Sequence, residues 1–445
     1  MIQRLFLRIP VSRISVQVQR QTRHGLRQKP DTGIHRGDLH GRLLVHPLPG
    51  ACRAKEKSLP GISDVIRNCR QTWPFGLCTF RRIPGLSEAQ PTEKSHVFLF
   101  PFFSICILCA IIFSAYIIRR NPMLTIYQLM KYLRNHHSIT VKGNQAQALR
   151  NIGYYHGFKG YRFIRNPSQR IPFTSLDEVI ALNTFDMQLK TLFYPKVMFI
   201  ENALKSYVIE SILLDSKSEN LDVIFNKSIT NYRSYRRGSE NYHKQYEKRM
   251  GLKGKINSAL LRDYANKRQT VNHFFDSDRS IPIWAIFESL TLGEFGTLFS
   301  CANSNVKLNT SHILHLPSNL DSDGKLTEYI IYTIKDLRNA VAHNNTVFDT
   351  RFQTSRINQR LISLLETETG IANLDFKYID AYVILITYTL RKMGETKTSC
   401  KQFISSFISC TDTLRSHLSA NVCNQILGTQ QRSHLSTLQN FLSNS

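Results

Sequence analysis

The stretch "FTSLDEVIALNTFDMQLKTLFYPKVMFIENALKSYVIESILL", residues 173–214, constrains the fold more than any other part of the chain. It is one long helical pattern. Thr174 or Ser175 can serve as N-cap, and Asp177 and Glu178 fall in the first turn, where a helix favours acids. Pro195 lies midway and is expected to kink the helix or split it in two, because proline lacks the backbone donor and crowds the preceding turn. The chain beyond Met123 reads in the same way. "IPIWAIFESLTLGEFGTLFS" (281–300) is expected to start a helix with Pro282 in its first turn. "KLTEYIIYTIKDLRNAVAH" (325–343) is another helix. "FQTSRINQRLISLLETETG" and "YIDAYVILITYTLRKMG" add two more, each ending at a glycine. No stretch alternates as a strand would. Residues 396–445, rich in Ser, Thr and Gln at their end, read as a peripheral helical tail, a helix pair. The fold class is all-α.

Charge divides the chain differently. It has 445 residues and a net charge of +26, which points to an anionic partner. Residues 1–122 carry 19 Lys+Arg against 6 Asp+Glu, half of the excess in about a quarter of the length. Residues 1–96 are rich in Arg, Pro, Gly and Gln and hold no apolar period, so they read as an unstructured basic extension. "VFLFPFFSICILCAIIFSAYII" (97–118) follows without a charge, and Arg119-Arg120 closes it. Its length qualifies it as a candidate transmembrane helix. In one reading it anchors the protein in the inner membrane. In the other, Met123 is the natural start, residues 1–122 are an upstream extension, and the product is cytoplasmic. The bias of 15 Arg to 4 Lys in 1–122 and the abrupt change at Met123 favour the second. Five of the nine cysteines lie before Met123, and the other four have no ligand spacing. That excludes a disulfide framework and a zinc site and fits a reducing compartment.

The stretch "IKDLRNAVAHNN" (334–345) carries the chemistry. On a helical wheel Ile330, Ile334, Leu337 and Val341 fall in a stripe of roughly 60° that belongs in a core. Arg338, Asn339, Ala342 and His343 spread over the other side. Asn339 and His343 are four apart and so are neighbours. Ala342 is small enough to let a second helix approach. Cleaving RNA without a metal requires a base for the 2′-hydroxyl, an acid for the leaving 5′-oxygen and a cation for the phosphorane. Histidine can fill either proton role near neutral pH, and arginine offers a planar fork to phosphate. One helix supplies one His, so a symmetric homodimer would supply the pair. If one chain sufficed, His312 or His315 would be the nearest second His. A second Arg-x4-His, Arg268 to His273, reads as a loop without the following Asn.

Residues 226–268 hold 12 Lys+Arg against 3 Asp+Glu, with five tyrosines interleaved. Arg233, Arg236, Arg237, Lys244, Arg249 and Tyr235 form a candidate RNA-binding set, cations for the backbone and aromatics for unpaired bases. A solvated charged connection would look the same.

"RNAVAH" resembles the Arg-x4–6-His motif of the HEPN superfamily, whose members are often metal-independent ribonucleases. "LRNIGYYHGFKGYRF", "FTSLDEVIALNTFDMQLK", "IENALKS", "IPIWAIFESLTLGEFG" and "LRNAVAHNN" occur in that order. The series resembles the Abi_2 family, the AbiD/AbiF-like abortive infection proteins of bacteria, over roughly 123–390. The resemblance implies a HEPN-type helical bundle with accessory helices over 123–395, phage defence by growth arrest, and RNA as the target. It implies no metal and no cofactor, and its antitoxin, RNA or protein, is unknown. By position, Arg338 and His343 match the catalytic pair, and Asn339 the polar residue after the Arg. Trp284 and Gly293 match framework positions. Asp186 with Lys190 matches an acid–base pair that commonly carries Arg in the second place. Glu201 matches a recurrent acid, read as a structural salt bridge before direct chemistry. The function so implied is a ribonuclease of phage defence. The alternatives are a non-catalytic RNA-binding or sensor protein of the same fold and a membrane-anchored regulator.

Overall fold

Ser175, not Thr174, opens the long helix. Its hydroxyl accepts the Glu178 amide, and the Glu178 carboxylate accepts the amides of Ser175 and Thr174 in return. The structure, a computed structural model, describes residues 124–444. The expected basic extension over 1–96, the apolar run 97–118 and the start at Met123 lie outside the described residues. Among the described residues there are fifteen α-helices and no strand, only isolated bridges such as Asn220–Pro282.

In chain order the helices before the long one are α1 (Ile126–His137) and α2 (Ala146–Ile152), followed by a π-helical turn, Gly153–Lys159. The long helix is α3 (Leu176–Ser216), 41 residues. Then come α4 (Leu221–Lys227), α5 (Glu240–Ala265), α6 (Gln269–Phe275), α7 (Ile283–Ser289), α8 (Leu292–Cys301), α9 (Ser304–Ile313) and α10 (Leu326–Ala342). The last five are α11 (Gln359–Thr369), α12 (Asp380–Lys392), α13 (Lys397–Arg415), α14 (Ala420–Leu427) and α15 (Gln431–Asn444). No helix of the described residues is long and apolar enough to cross a membrane.

α3 is the spine. Leu182, Phe185, Leu189, Phe193, Val197, Ile200, Leu204 and Val208 recur three or four apart and are buried, so one face is dry along most of its length. α9, α10 and α13 pack on it. Pro195 does not split it. The ring is exposed, and the carbonyl that loses its donor belongs to exposed Thr191, within reach of water. Phe193 and Val197 are buried on either side and hold the helix together through that point.

The segment 281–300 breaks where a single helix was expected. α7 ends at Ser289, and Thr291 caps α8 in a reciprocal box with Glu294. A cap of this kind contributes about 1 kcal/mol, enough to favour the restart. α8 then lies hard against α10. A Cβ on Gly296 would sit 3.1 Å from Ile331 and from the Tyr332 ring, so the glycine permits the approach.

α12 is buried on all sides from Asp380 to Leu390, as a helix at the centre of a bundle must be. The tail, expected as a peripheral pair, forms three helices. α13 lays buried Phe403 against Phe193 of α3, with ring centroids 6.1 Å apart.

Candidate functional site

α10 is buried on most of its circumference. The expected stripe of Ile330, Ile334, Leu337 and Val341 is inside, and Ile331, Thr333, Asp336 and Ala340 widen it. Outside that core Glu328, Tyr329, Tyr332 and Lys335 are half-buried, and a strip at the C-terminal end has Arg338 and Asn339 half-buried and Ala342 and His343 exposed. The structure thus brings all three predicted catalytic residues to one edge.

Arg338 is held. Its Nε donates to Oε2 of Glu201 at 2.8 Å, and Nη1 reaches Oδ1 of Asn339 at 3.3 Å. Glu201 is buried, and its other oxygen meets Lys205 at 3.1 Å. Nη2 of Arg338 has no hydrogen-bond partner among the described residues, which leaves one edge of the guanidinium for an anion. His343 is the C-cap. Its amide donates to the carbonyl of Asn339 at 3.0 Å, while its ring is directed by no side chain among the described residues.

The turn after α10 is pinned to α3. Asn344 adopts the left-handed region, φ 55°, and Lys190 Nζ donates to its Oδ1 at 2.7 Å. Asp186, wholly buried, bonds Lys190 at 2.8 Å. It also accepts the amides of Val347 and Phe348 at 2.7 and 2.8 Å and the Tyr161 hydroxyl at 2.7 Å. The π-helical turn delivers Tyr161 to this spot. Burial, with Asp186 beside it, pushes the Tyr161 phenol well above its usual range, so it stays a donor. The pair expected at Asp186 and Lys190 is therefore an anchor for the loop that follows the motif. Lys190 meets Asn344 and Glu201 meets Arg338, so α3 and α10 run antiparallel.

Residues 147–349 match the family model described as Abi-like protein. That segment belongs to the Abi-like family. The family name denotes abortive infection, a phage-defence response. No curated protein and no solved structure gives a significant match. The Abi-like segment contains Tyr161, Asp186, Lys190, Glu201, Arg338, Asn339, His343 and Asn344.

Other expected residues of the Abi-like segment are placed as follows. Trp284, expected at a framework position, is nearly half exposed, at 45%, and its ring meets Phe274 edge-on at 5.7 Å. Arg233, Arg236, Arg237 and Lys244 are exposed, and Tyr235 is half-buried. Arg249 departs from the set. Its guanidinium is spent on the carbonyls of Ile229 and Phe225 at 3.0 and 2.9 Å and lies over Phe225, Tyr232 and Tyr246. It orders the aromatic cluster instead of facing solvent. Arg268 and His273 are on a short helix and its cap, not a loop, and Arg268 is paired with buried Asp263 at 3.0 Å. His312 and His315 stand near the opposite end of α10. Ser311 and the Leu326 amide share Asp321, and His343 lies 17 residues further on, about 25 Å along the helix.

Proposed function

We propose that this Abi-like chain is an endoribonuclease of abortive infection that cuts RNA at the Arg338–His343 strip. The observation that carries the reading is the emergence of Arg338, Asn339 and His343 at the exposed C-terminal end of a largely buried helix, with the arginine oriented by a buried acid. In this reading His343 takes the proton of the 2′-hydroxyl, the 2′-oxygen bonds to phosphorus, and the bond from phosphorus to the 5′-oxygen breaks. Arg338 holds the phosphorane oxygens through its free edge. The leaving 5′-oxygen needs a proton, and His312 and His315 are too distant to give it. The partner subunit's His343 supplies it in a homodimer built on the strip. Ala342 on α10 and the exposed Met187 and Tyr194 on α3, at 45% and 49%, offer small and apolar contacts beside it. RNA in the cytoplasm is the substrate, and the exposed Arg233, Arg236, Arg237 and Lys244 give it a cationic path.

The ion pair of Arg338 with Glu201 favours a second reading, in which the same strip binds RNA without cutting it. Sequencing RNA ends after brief induction separates the two. New ends bearing 2′,3′-cyclic phosphate with the unaltered chain, and none with His343→Ala, are expected. Growth arrest that persists in His343→Ala without new ends would leave only the binding reading.

A further inference from the structure

An open cleft of about 730 Å³ lies between α6 and α7, lined by Gln269, Asn272, His273, Phe274, Asp276 and Trp284 among others. It is distinct from the motif. Glu201 holds Arg338 on α3, and the Asn220–Pro282 bridge that leads into α7 lies beyond the far end of that helix at Ser216. From 201 to 216 is 15 residues, about 22 Å of helix.

We propose that this cleft binds a single nucleobase, guanine before the others. Three features point there. The first is the Trp284 indole, exposed though it lies in a cleft, with Phe274 against its edge to fix its plane. An aromatic face held this way stacks on a base. The second is the Asn272 side chain, whose Oδ1 is buried and accepts no hydrogen bond. A buried acceptor left without a donor is costly, and a ligand N–H would satisfy it. The third is Asp276, a second acceptor on the wall, with only Oδ1 engaged, by the Tyr264 hydroxyl at 3.3 Å.

Two acceptors and an aromatic face select for a base that presents adjacent donors. Guanine does so with N1–H and its 2-amino group; adenine, cytosine and uracil each offer one donor group on that edge. The Asp276 carboxylate would repel a phosphate inside the cleft, so the base enters and the phosphate stays at the rim. Cations flank α6 in sequence. Lys267 precedes α6 and Arg279 follows it, with the Arg279 amide bonded to the Phe274 carbonyl at 2.9 Å. Both are exposed, and neither forms an ion pair among the described residues.

The chain has two tryptophans, Trp73 and Trp284, so a full-length Trp73→Phe variant reports on Trp284 alone. Guanosine monophosphate, cytidine monophosphate, a short single-stranded RNA containing guanine and one lacking it are titrated against its fluorescence. Quenching by the guanine-containing probes is expected, with Asn272→Leu weakening it about tenfold or more. Labelled RNA followed by anisotropy should lose a similar factor in Trp284→Ala, a change at an exposed position that keeps the fold. Binding by the strand but not the mononucleotide assigns the site to RNA; equal binding assigns it to a free nucleotide. Either supports the proposal. His343→Ala should bind as the unaltered chain does, so failure of the cleavage reading leaves this one standing. Absence of quenching by every probe would overturn it and leave the aromatic surface to a protein. Quenching that is indifferent to guanine, or unchanged in Asn272→Leu, would equally overturn it.

Discussion

Glu201 and Arg338 meet at 2.8 Å across 137 residues of sequence, one on the spine helix and the other on the motif helix. The acid is buried and the arginine is not, so the contact orients the cation instead of hiding it. Glu201→Gln keeps an acceptor but removes the charge that faces both Lys205 and Arg338. Because both cations retain access to water, the expected loss of stability is modest, about 1–3 kcal/mol. Cleavage should fall further than stability accounts for. Urea unfolding beside a rate measurement checks this; an unchanged rate would deny Glu201 a positioning role.

His343→Ala should lower RNA cleavage by about 10²- to 10⁴-fold, the range for removing a general acid or base. Arg338→Ala should be comparably damaging, while His312→Ala and His315→Ala should leave the rate unaltered. A loss in His312→Ala or His315→Ala equal to that in His343→Ala would show that the motif is not the centre of the chemistry.

Lys190→Met is expected to cost more stability than Glu201→Gln, about 3–5 kcal/mol, since it strips the cation from a wholly buried Asp186. It should also free the Asn344 turn. Hydrogen exchange at Asn344–Phe348 is the direct readout, and protection there equal to that of the unaltered chain would count against the anchor.

Ala342→Leu adds bulk to the exposed edge of α10 while leaving the core untouched. If that edge meets its copy, overpacking should cost about 1–3 kcal/mol of dimer stability and lower activity in parallel. Light scattering with activity measured over a dilution series decides. Full activity in a strictly monomeric sample would exclude a shared site.

His137 carries a prediction about acid. Its partial burial, and after that the charges of Arg162 and Arg170, lower its affinity for a proton below the ordinary 6.5. In that window the unfolded chain binds the proton and the folded chain does not, so stability should fall as pH drops through about 6.5. His137→Phe, beside the Phe158 ring, should flatten that dependence. Thermal unfolding at pH 7.5 and 5.5 tests it, and an identical drop in both proteins would assign the effect elsewhere.

Much of this was legible in the residues themselves. The periodicity of 173–214, the cap at Ser175 and the apolar stripe of α10 are local signals, and each survives in the fold. Thr291-x-x-Glu294 is also a local signal, a capping box set inside what reads as continuous helix. The pairing of Asp186 with Lys190 and a salt bridge at Glu201 are expected from the sequence, but what these residues reach across to is not, because that depends on which helix lies opposite. Nothing near Glu201 in sequence says that its partner is Arg338. The exposure of Trp284 is likewise not readable from its neighbours, because the packing of α7 decides which way it faces.

The two residues that fix the motif, Lys190 and Glu201, stand on either side of Pro195 on the same helix. The turn that lacks its hydrogen bond is therefore the turn that sets the distance between the two clamps. Lys190 governs where His343 sits and Glu201 governs where Arg338 points. Any change of curvature at Pro195 becomes a change in the span between imidazole and guanidinium. The geometry of the strip is thus written in the straightness of a different helix.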